Sequence, residues 1–508
     1  MKKSMLFILI FFCSVLAFSV NYGGDLIYVM GTDAVTLFPG NTDNPSEMVC
    51  RNIFEGLVEF DSNMKIHPVL AKSWELSEDG KEYTFHLKEN IKFHDGAPLN
   101  SRAVKKSLEF IIDSKSRKAS IFSPFIESIE VIDELTFKIK LTIPGGFFIN
   151  NLAHSAGLIM SPNSIDEYGY DLGELGKHPV GTGPFSLEEW KRAERITLVK
   201  NEDYWGEGPY LDSVIYNVIP EDITRVIQLQ SGDADITSRV PPIMIDRLES
   251  TSGLTVDIVP SLRVMYLGFN FDKPPFDDDR VRKAINYAID KEKICEVILR
   301  GMGNFSDSPL APLTVGYYPT GGFPYDPQKA KELLKEAGQE DLTFELSCPR
   351  GRYLQDYESV LAIQGMLAEV GITANVRPME WADYMSYLYG SADDPRYEVF
   401  FVGWSPSTGD ADWVLRPNFY SDNIIPYGDN NFFYRNEKLD GLIDEGAAEV
   451  DYDKRMEIYK EAQEILVLED TVWGYLWYLN QVVAYKDSLM GVEVLPTEIV
   501  IVKNCWFE

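Results

Sequence analysis

Two tryptophans and two aspartates fall within eleven residues of this chain, in GWSPSTGDADW (403–413). A strand-like run, YEVFFV (397–402), leads straight into them. Trp404 and Trp413 offer flat apolar faces, Ser407 a hydroxyl, and Asp410 and Asp412 carboxylates. That mixture suits a loop that holds a ligand at a strand's end, with rings to stack on and oxygens to accept hydrogen bonds. It also fits a sugar lid, a metal loop or plain packing. The calcium version fails on spacing. An EF-hand loop needs oxygen ligands at its fifth and twelfth positions. Counted from Asp410, the fifth position is Val414 and the twelfth is Ser421.

Chemistry that breaks covalent bonds leaves no recognisable mark. HExxH, GxSxG and the phosphate-loop pattern GxxxxGK[ST] are all missing. The five histidines, His67, His86, His94, His154 and His178, are scattered over about the first 180 residues. His94-Asp95, in FHDG, reads as a turn after a strand rather than a base with its orienter. Acids are abundant, but abundance does not make the spaced pair that glycoside hydrolysis needs. No metal or cofactor is expected.

The elements that must position these residues belong to a long, globular chain. Its 508 residues are 45% apolar and 13% aromatic, enough for two or three domains and a large core. The start, MKKSMLFILIFFCSVLAFSV, has a basic Lys2-Lys3, an apolar stretch and small residues at Ala17 and Ser19. It reads as a cleavable secretory signal over 1–19, which makes the mature protein extracytoplasmic or periplasmic. Four cysteines then remain, Cys50, Cys295, Cys348 and Cys505, far apart and without CxxC. They allow three pairings, but isolated apolar thiols are the better expectation. Net charge is −32, and −34 without the two signal lysines. Nucleic acid and anionic membrane surfaces are therefore not expected as partners.

From about residue 190 strand-like and helix-like runs alternate. RITLVKN (195–201), SVIYNVI (213–219), 234–236 and VMYLGFNF (264–271) read as strands. Helices are expected over 221–230, closed by Gly232, and over 279–290, with Val281, Ile285, Ala288 and Ile289 on one face. Further helices are expected over 327–337, over 356–370 with a cap at Asp356, and over 453–468. Trp473 and Trp477, in VWGYLWYL, read as core. The first third differs, with YTFHLK (83–88) and LTFKIKLT (135–142) as strands around one helix, 102–112. The whole predicts an α/β protein of two lobes with an extra α+β subdomain in the first.

Several stretches then resemble, in order, the extracytoplasmic solute-binding proteins of ABC importers, family 5, the oligopeptide, dipeptide and nickel-binding type. They are 55–104 (EGLVEFDSNMKIHPVL…), HPVGTGPFSLEEW (178–190), NEDYWGEGPYLDSV (201–214), LGFNFDKPPFDDDRVRKAINYAIDKEKI (267–294), YDPQKAKELLKEAG (325–338), GRYLQDYESVLAIQGMLAEVGI (351–372) and GW…GDAD, with NEKLDGLIDEG…DKRMEIYKEAQEILVLED (436–470) last. The resemblance implies a two-lobed periplasmic-binding-protein fold, class II, large type. Lobe I is expected over 20–264 with the subdomain at about 56–178, lobe II over 265–480, and a return to lobe I over 481–508. It implies a monomeric receptor that closes on a solute and hands it to the importer's membrane permease. The solute is expected to be an oligopeptide. An oligosaccharide is the alternative within the family, and an exported hydrolase is a remote one.

In the resemblance, 403–413 lines the cleft. Peptide-binding relatives often carry an aspartate after the Trp that pairs with the peptide's α-ammonium, and here that position is Ser407. A serine cannot neutralise a buried ammonium, so a peptide needs another acid, with Asp410 the candidate. Arg352, in GRYLQD, resembles an arginine aimed at the ligand's carboxylate, for which a guanidinium's two parallel donors are suited. Its alternative is an ion pair with Asp356. Tyr353 stands either in the lining or in the core. The expected ligand-binding set is Trp404, Ser407, Asp410, Asp412, Trp413, Arg352 and Tyr353.

Overall fold

The computed structural model describes residues 21–114, 116–389 and 397–508. The expected signal over 1–19 lies outside the described residues. No helix among them is long and apolar enough to cross a membrane.

One eleven-stranded sheet runs through the molecule. Its middle is a pair of long antiparallel strands, Leu254–Phe269 and Trp473–Lys486. At one end of this pair, Trp473–Lys486 joins Ile236–Ser238, which leads on to Asp25–Met30, Ser213–Val218, Arg195–Lys200 and Phe185–Lys191. At the other end, Leu254–Phe269 joins Val399–Trp404, then Thr343–Pro349 and Thr373–Met379. The two halves of the sheet lie on either side of this pair. Between them the long pair loses register, from Pro260 opposite Asn480 to Val264 opposite Tyr478. Pro260 has no N–H to give the ladder, and prolines in strands fall at such irregularities. That proline, with Asp257, hides the first ten residues of the strand from a periodicity reading, which sees only 264–271.

The expected helices form as Asp222–Ser231, Asp279–Ala288, Pro327–Glu336, Asp356–Glu369 and Tyr452–Glu464. The predicted face of Val281, Ile285, Ala288 and Ile289 is fully buried. Gly232, left-handed at φ 86°, ends its helix as expected. The short strand after it lies at Ile236–Ser238 rather than 234–236. Asp235 is occupied instead, accepting from the Ile27 N–H at 2.7 Å and pairing with Lys486. The expected Asp356 cap does not form. Gln355 holds the cap position in a left-handed conformation, and Asp356 is the first helical residue.

The α+β subdomain is a four-stranded antiparallel sheet, Ala71–Leu76, Glu82–Leu87, Thr136–Leu141 and Ile126–Val131 in spatial order, with the helix Ser101–Asp113. PVGTGP is a scaffold loop. A side chain at Gly181 would place its Cβ 2.1 Å from the Ile53 carbonyl oxygen, so the backbones meet only because glycine is there. Thr182 donates to Glu55, and the His94 ring lies 2.9 Å from the Gly183 carbonyl oxygen, which leaves FHDG a turn tied to this loop. Trp473 and Trp477 are core residues, with Trp473 stacked on Tyr266 at 3.6 Å. The four cysteines among the described residues, Cys50, Cys295, Cys348 and Cys505, are buried free thiols.

Candidate functional site

A cavity of 480 Å³ opens between the two halves of the sheet, beside the register break. Six charged residues line it: Asp222, Arg225, Arg239, Arg263, Arg352 and Glu498. Four arginines against two carboxylates make this a cationic spot in a chain with net charge −32. A wider surface groove of 710 Å³ between Ile245 and Phe305 has the opposite balance, Asp246, Glu292 and Glu296 against Arg300.

Each cavity residue is set by a local backbone feature. Arg263 stands in the register break itself. Glu498 occupies the turn between Glu493–Leu495 and Ile499–Ile501, in a left-handed conformation at φ 68°. Arg239 follows the strand Ile236–Ser238 and is left-handed at φ 55°. Gln355, at φ 48°, closes the loop that carries Arg352 and Tyr353. Three left-handed non-glycine residues thus line one cavity. Each conformation costs roughly 1–3 kcal/mol and persists only where its surroundings over-determine it.

Arg263 and Glu498 neutralise each other through a two-pronged contact. Nε donates to Oε1 at 2.6 Å and Nη2 to Oε2 at 3.0 Å. Burial alone would push the Glu498 carboxyl up, but Arg263, reinforced by Arg239 and Arg352, outweighs it and holds the group below its usual range. Arg225 is buried and spoken for, donating to the Ile219 and Pro220 carbonyls and to Asp222. Arg239 and Arg352 are exposed to the cavity, and neither has a carboxylate partner among the described residues.

The GRYLQ loop explains why Arg352 is unpaired. Asp356 is 3% exposed and accepts from the backbone N–H of Gly351, Arg352 and Tyr353 at 3.0, 2.7 and 3.0 Å. Its carboxylate caps the loop before the helix, so the alternative of an ion pair with the Arg352 guanidinium does not form. The guanidinium stands 4.9 Å from the Trp381 ring and 5.2 Å from that of Tyr353. Aromatic walls hold a guanidinium in place without neutralising it. Tyr353 is itself anchored, its hydroxyl donating to the Gly403 carbonyl at 3.3 Å.

The GW loop is built differently. Asp410 is 1% exposed and receives both Arg455 nitrogens, at 2.9 and 2.7 Å. Asp412 is buried against Arg416 at 3.0 Å, and that burial pushes its carboxyl up despite the arginine. Trp404 donates its indole N–H to the Trp413 carbonyl at 3.2 Å. Trp413 packs against the core of the first lobe. The Thr408 carbonyl accepts from the Asn150 amide of the subdomain at 3.2 Å. Trp404 and Ser407 stay partly exposed, but no residue of 404–413 lines the 480 Å³ cavity. The structure therefore brings together Arg352 and Tyr353 from the expected set and adds Arg239, Arg263 and Glu498. Nothing in the sequence marked those three. Arg263 and Glu498 are 235 positions apart.

Two lobes on a continuous sheet, with a charged cavity beside the register break of the long strands, are the architecture of a two-lobed binding protein. The chain belongs to the bacterial extracellular solute-binding proteins, family 5, whose sequence profile matches residues 65–425. It is 33% identical over 489 residues to the glutathione-binding protein GsiB of Salmonella typhi, covering 95% of this chain and 94% of that one. Among solved structures it resembles the ABC transporter-associated periplasmic binding protein DppA from Helicobacter pylori in complex with the peptide STSA. The TM-score is 0.81 at 29% identity, over 96% of this chain and 99% of that one. It also resembles AgaA from A. tumefaciens R10 in complex with agropinic acid, with a TM-score of 0.78 at 29% identity over 96% and 99%.

Proposed function

We propose that this protein is the receptor of an ABC importer for short, acidic peptides, held in the 480 Å³ cavity with a carboxylate on Arg352. The observation that carries this reading is the surplus of guanidinium over carboxylate in the cavity of an otherwise strongly acidic protein. A cation surplus that closure of the lobes would desolvate is costly unless an anion completes it. The relative that binds glutathione and the neighbour holding the tetrapeptide STSA support a peptide of this size. In this reading the first lobe ends and the second begins at the register break of 260–264, and the chain returns near Asn480. A solute touching both lobes favours the closed form, and one touching a single lobe shifts nothing. Asp410, Asp412 and Trp413 are scaffold. The carbohydrate alternative lacks a stacking platform, since Tyr353 is the one aromatic residue lining the cavity among those described. Its Ser407 argument weakens too, because Ser407 lies off the cavity.

The test is mass spectrometry of small molecules released by denaturing the purified protein, followed by calorimetry with the compounds found. Short peptides or peptide-like acids are expected. Recovery of neutral sugars, with binding to them and to no peptide, would reject the reading.

A further inference from the structure

The cavity has two unmatched guanidiniums, not one, and they come from opposite sides. Arg352 stands on the GRYLQ loop next to the strand Thr343–Pro349, in the second half of the sheet. Arg239 stands at the end of Ile236–Ser238, in the first half. The matched pair Arg263–Glu498 lies between the two halves. Arg239 is placed there by a left-handed backbone at φ 55°, and Pro241 and Pro242 stiffen the chain that follows. An arginine held in an unfavourable conformation and aimed into a cavity without a counter-ion is built to meet one.

The cavity is as poor in acceptors for a cation as it is rich in donors for anions. Both Glu498 oxygens already accept from Arg263, and the Asn44 amide reaches Oε2 at 3.4 Å. The Asp222 carboxylate, well exposed at the rim, is held by Arg225. The serine at 407 and the buried pairs of Asp410 and Asp412 leave the GW loop no spare carboxylate. An ammonium therefore finds no unpaired carboxylate in the lining among the described residues.

We propose that the solute is a dicarboxylate of short-peptide size, with one carboxylate on Arg239 and the second on Arg352, and that recognition does not require a free α-ammonium. This rests on the acidic-peptide reading above and narrows it to diacids: peptides with an acidic side chain, γ-linked peptides, or N-acylated acidic amino acids. The two arginines also give the solute its hold on both lobes. A monocarboxylate reaches one of them only and leaves the other guanidinium desolvated and unpaired when the lobes shut.

The experiment is calorimetry on the exhaustively dialysed mature protein with five probes: glutathione, its N-acetyl derivative, its two single carboxamides, and neutral trialanine. Glutathione and the N-acetyl form are expected to bind within about threefold of each other, and each amide at least about tenfold more weakly, the scale of one charge-assisted contact. Arg239→Met and Arg352→Met replace exposed side chains and are expected to keep the wild-type melting temperature. Each should weaken glutathione at least about tenfold, and each should become indifferent to amidation of one particular carboxylate. A ligand weakened by N-acetylation as much as by amidation, or trialanine binding as tightly as glutathione, would overturn the dicarboxylate inference and leave the peptide receptor standing. If none of the five binds while released sugars do, both fall together.

Discussion

The GW loop and the cavity wall use the same parts in opposite ways. In the loop, Asp410 and Arg455 close on each other, 1% and 6% exposed, and the account is complete. In the wall, Arg263 and Glu498 also close, at 14% and 15%, but Arg239 and Arg352 are left over. The residue types in a motif therefore say little about which group meets solute. What matters is whether each charge has already found its partner. A closed pair has its charge already balanced, and the site proposed above rests on the surplus charge of Arg239 and Arg352.

Four measurements bear on that contrast. The largest effect is expected from Asp410→Ala, which strands a buried guanidinium and should cost roughly 3–5 kcal/mol in chemical denaturation. The affinity of the folded fraction for its solute should not change. A large loss of affinity with stability intact would reverse the roles of the two regions. Next is Glu498→Gln. It removes half of a largely buried charged contact, worth about 2 kcal/mol at neutral pH. Because the folded carboxyl titrates below its usual value, the stability it contributes is present above the unfolded value of about 4.3 and is lost as pH falls through the folded one. Wild type and variant should accordingly differ at pH 7 and converge below about pH 4 in denaturation midpoints. A gap that persists in acid would show that the charge is not the cause.

The third is Asn150→Ala, which removes one neutral hydrogen bond to Thr408 from the contact between loop and subdomain. It should cost about 1 kcal/mol, read by the same titration. The smallest is Trp404→Phe. The ring packing survives and one indole hydrogen bond goes, so stability should fall by no more than about 1 kcal/mol and affinity should stay within about threefold. A tenfold drop in affinity would bring Trp404 back into the binding surface.

Helix and strand content was largely legible because it depends on neighbours. The amphipathic face around Val281 and Ile285, the stop at Gly232 and the strands of the subdomain follow from local period and turn chemistry. The long strand Leu254–Phe269 was half lost because Asp257 and Pro260 contradict a strand locally, while pairing with Trp473–Lys486 overrides them. Asp356 looked like a helix cap from its position. It turned instead to the three N–H groups of the loop before it, a choice set by the path of GRYLQ.

By itself the sequence determined the family, the two-lobed class, the acidic surface and the candidacy of Arg352 and Tyr353, since each of these is written in contiguous residues or in composition. The tertiary structure alone decided which charges were spent. It brought Arg455 to Asp410, Glu498 to Arg263, and no carboxylate to Arg239 or Arg352. Partners 45 and 235 positions apart cannot be read from order along a chain, because a charge becomes a binding site only through what the fold leaves unpaired beside it.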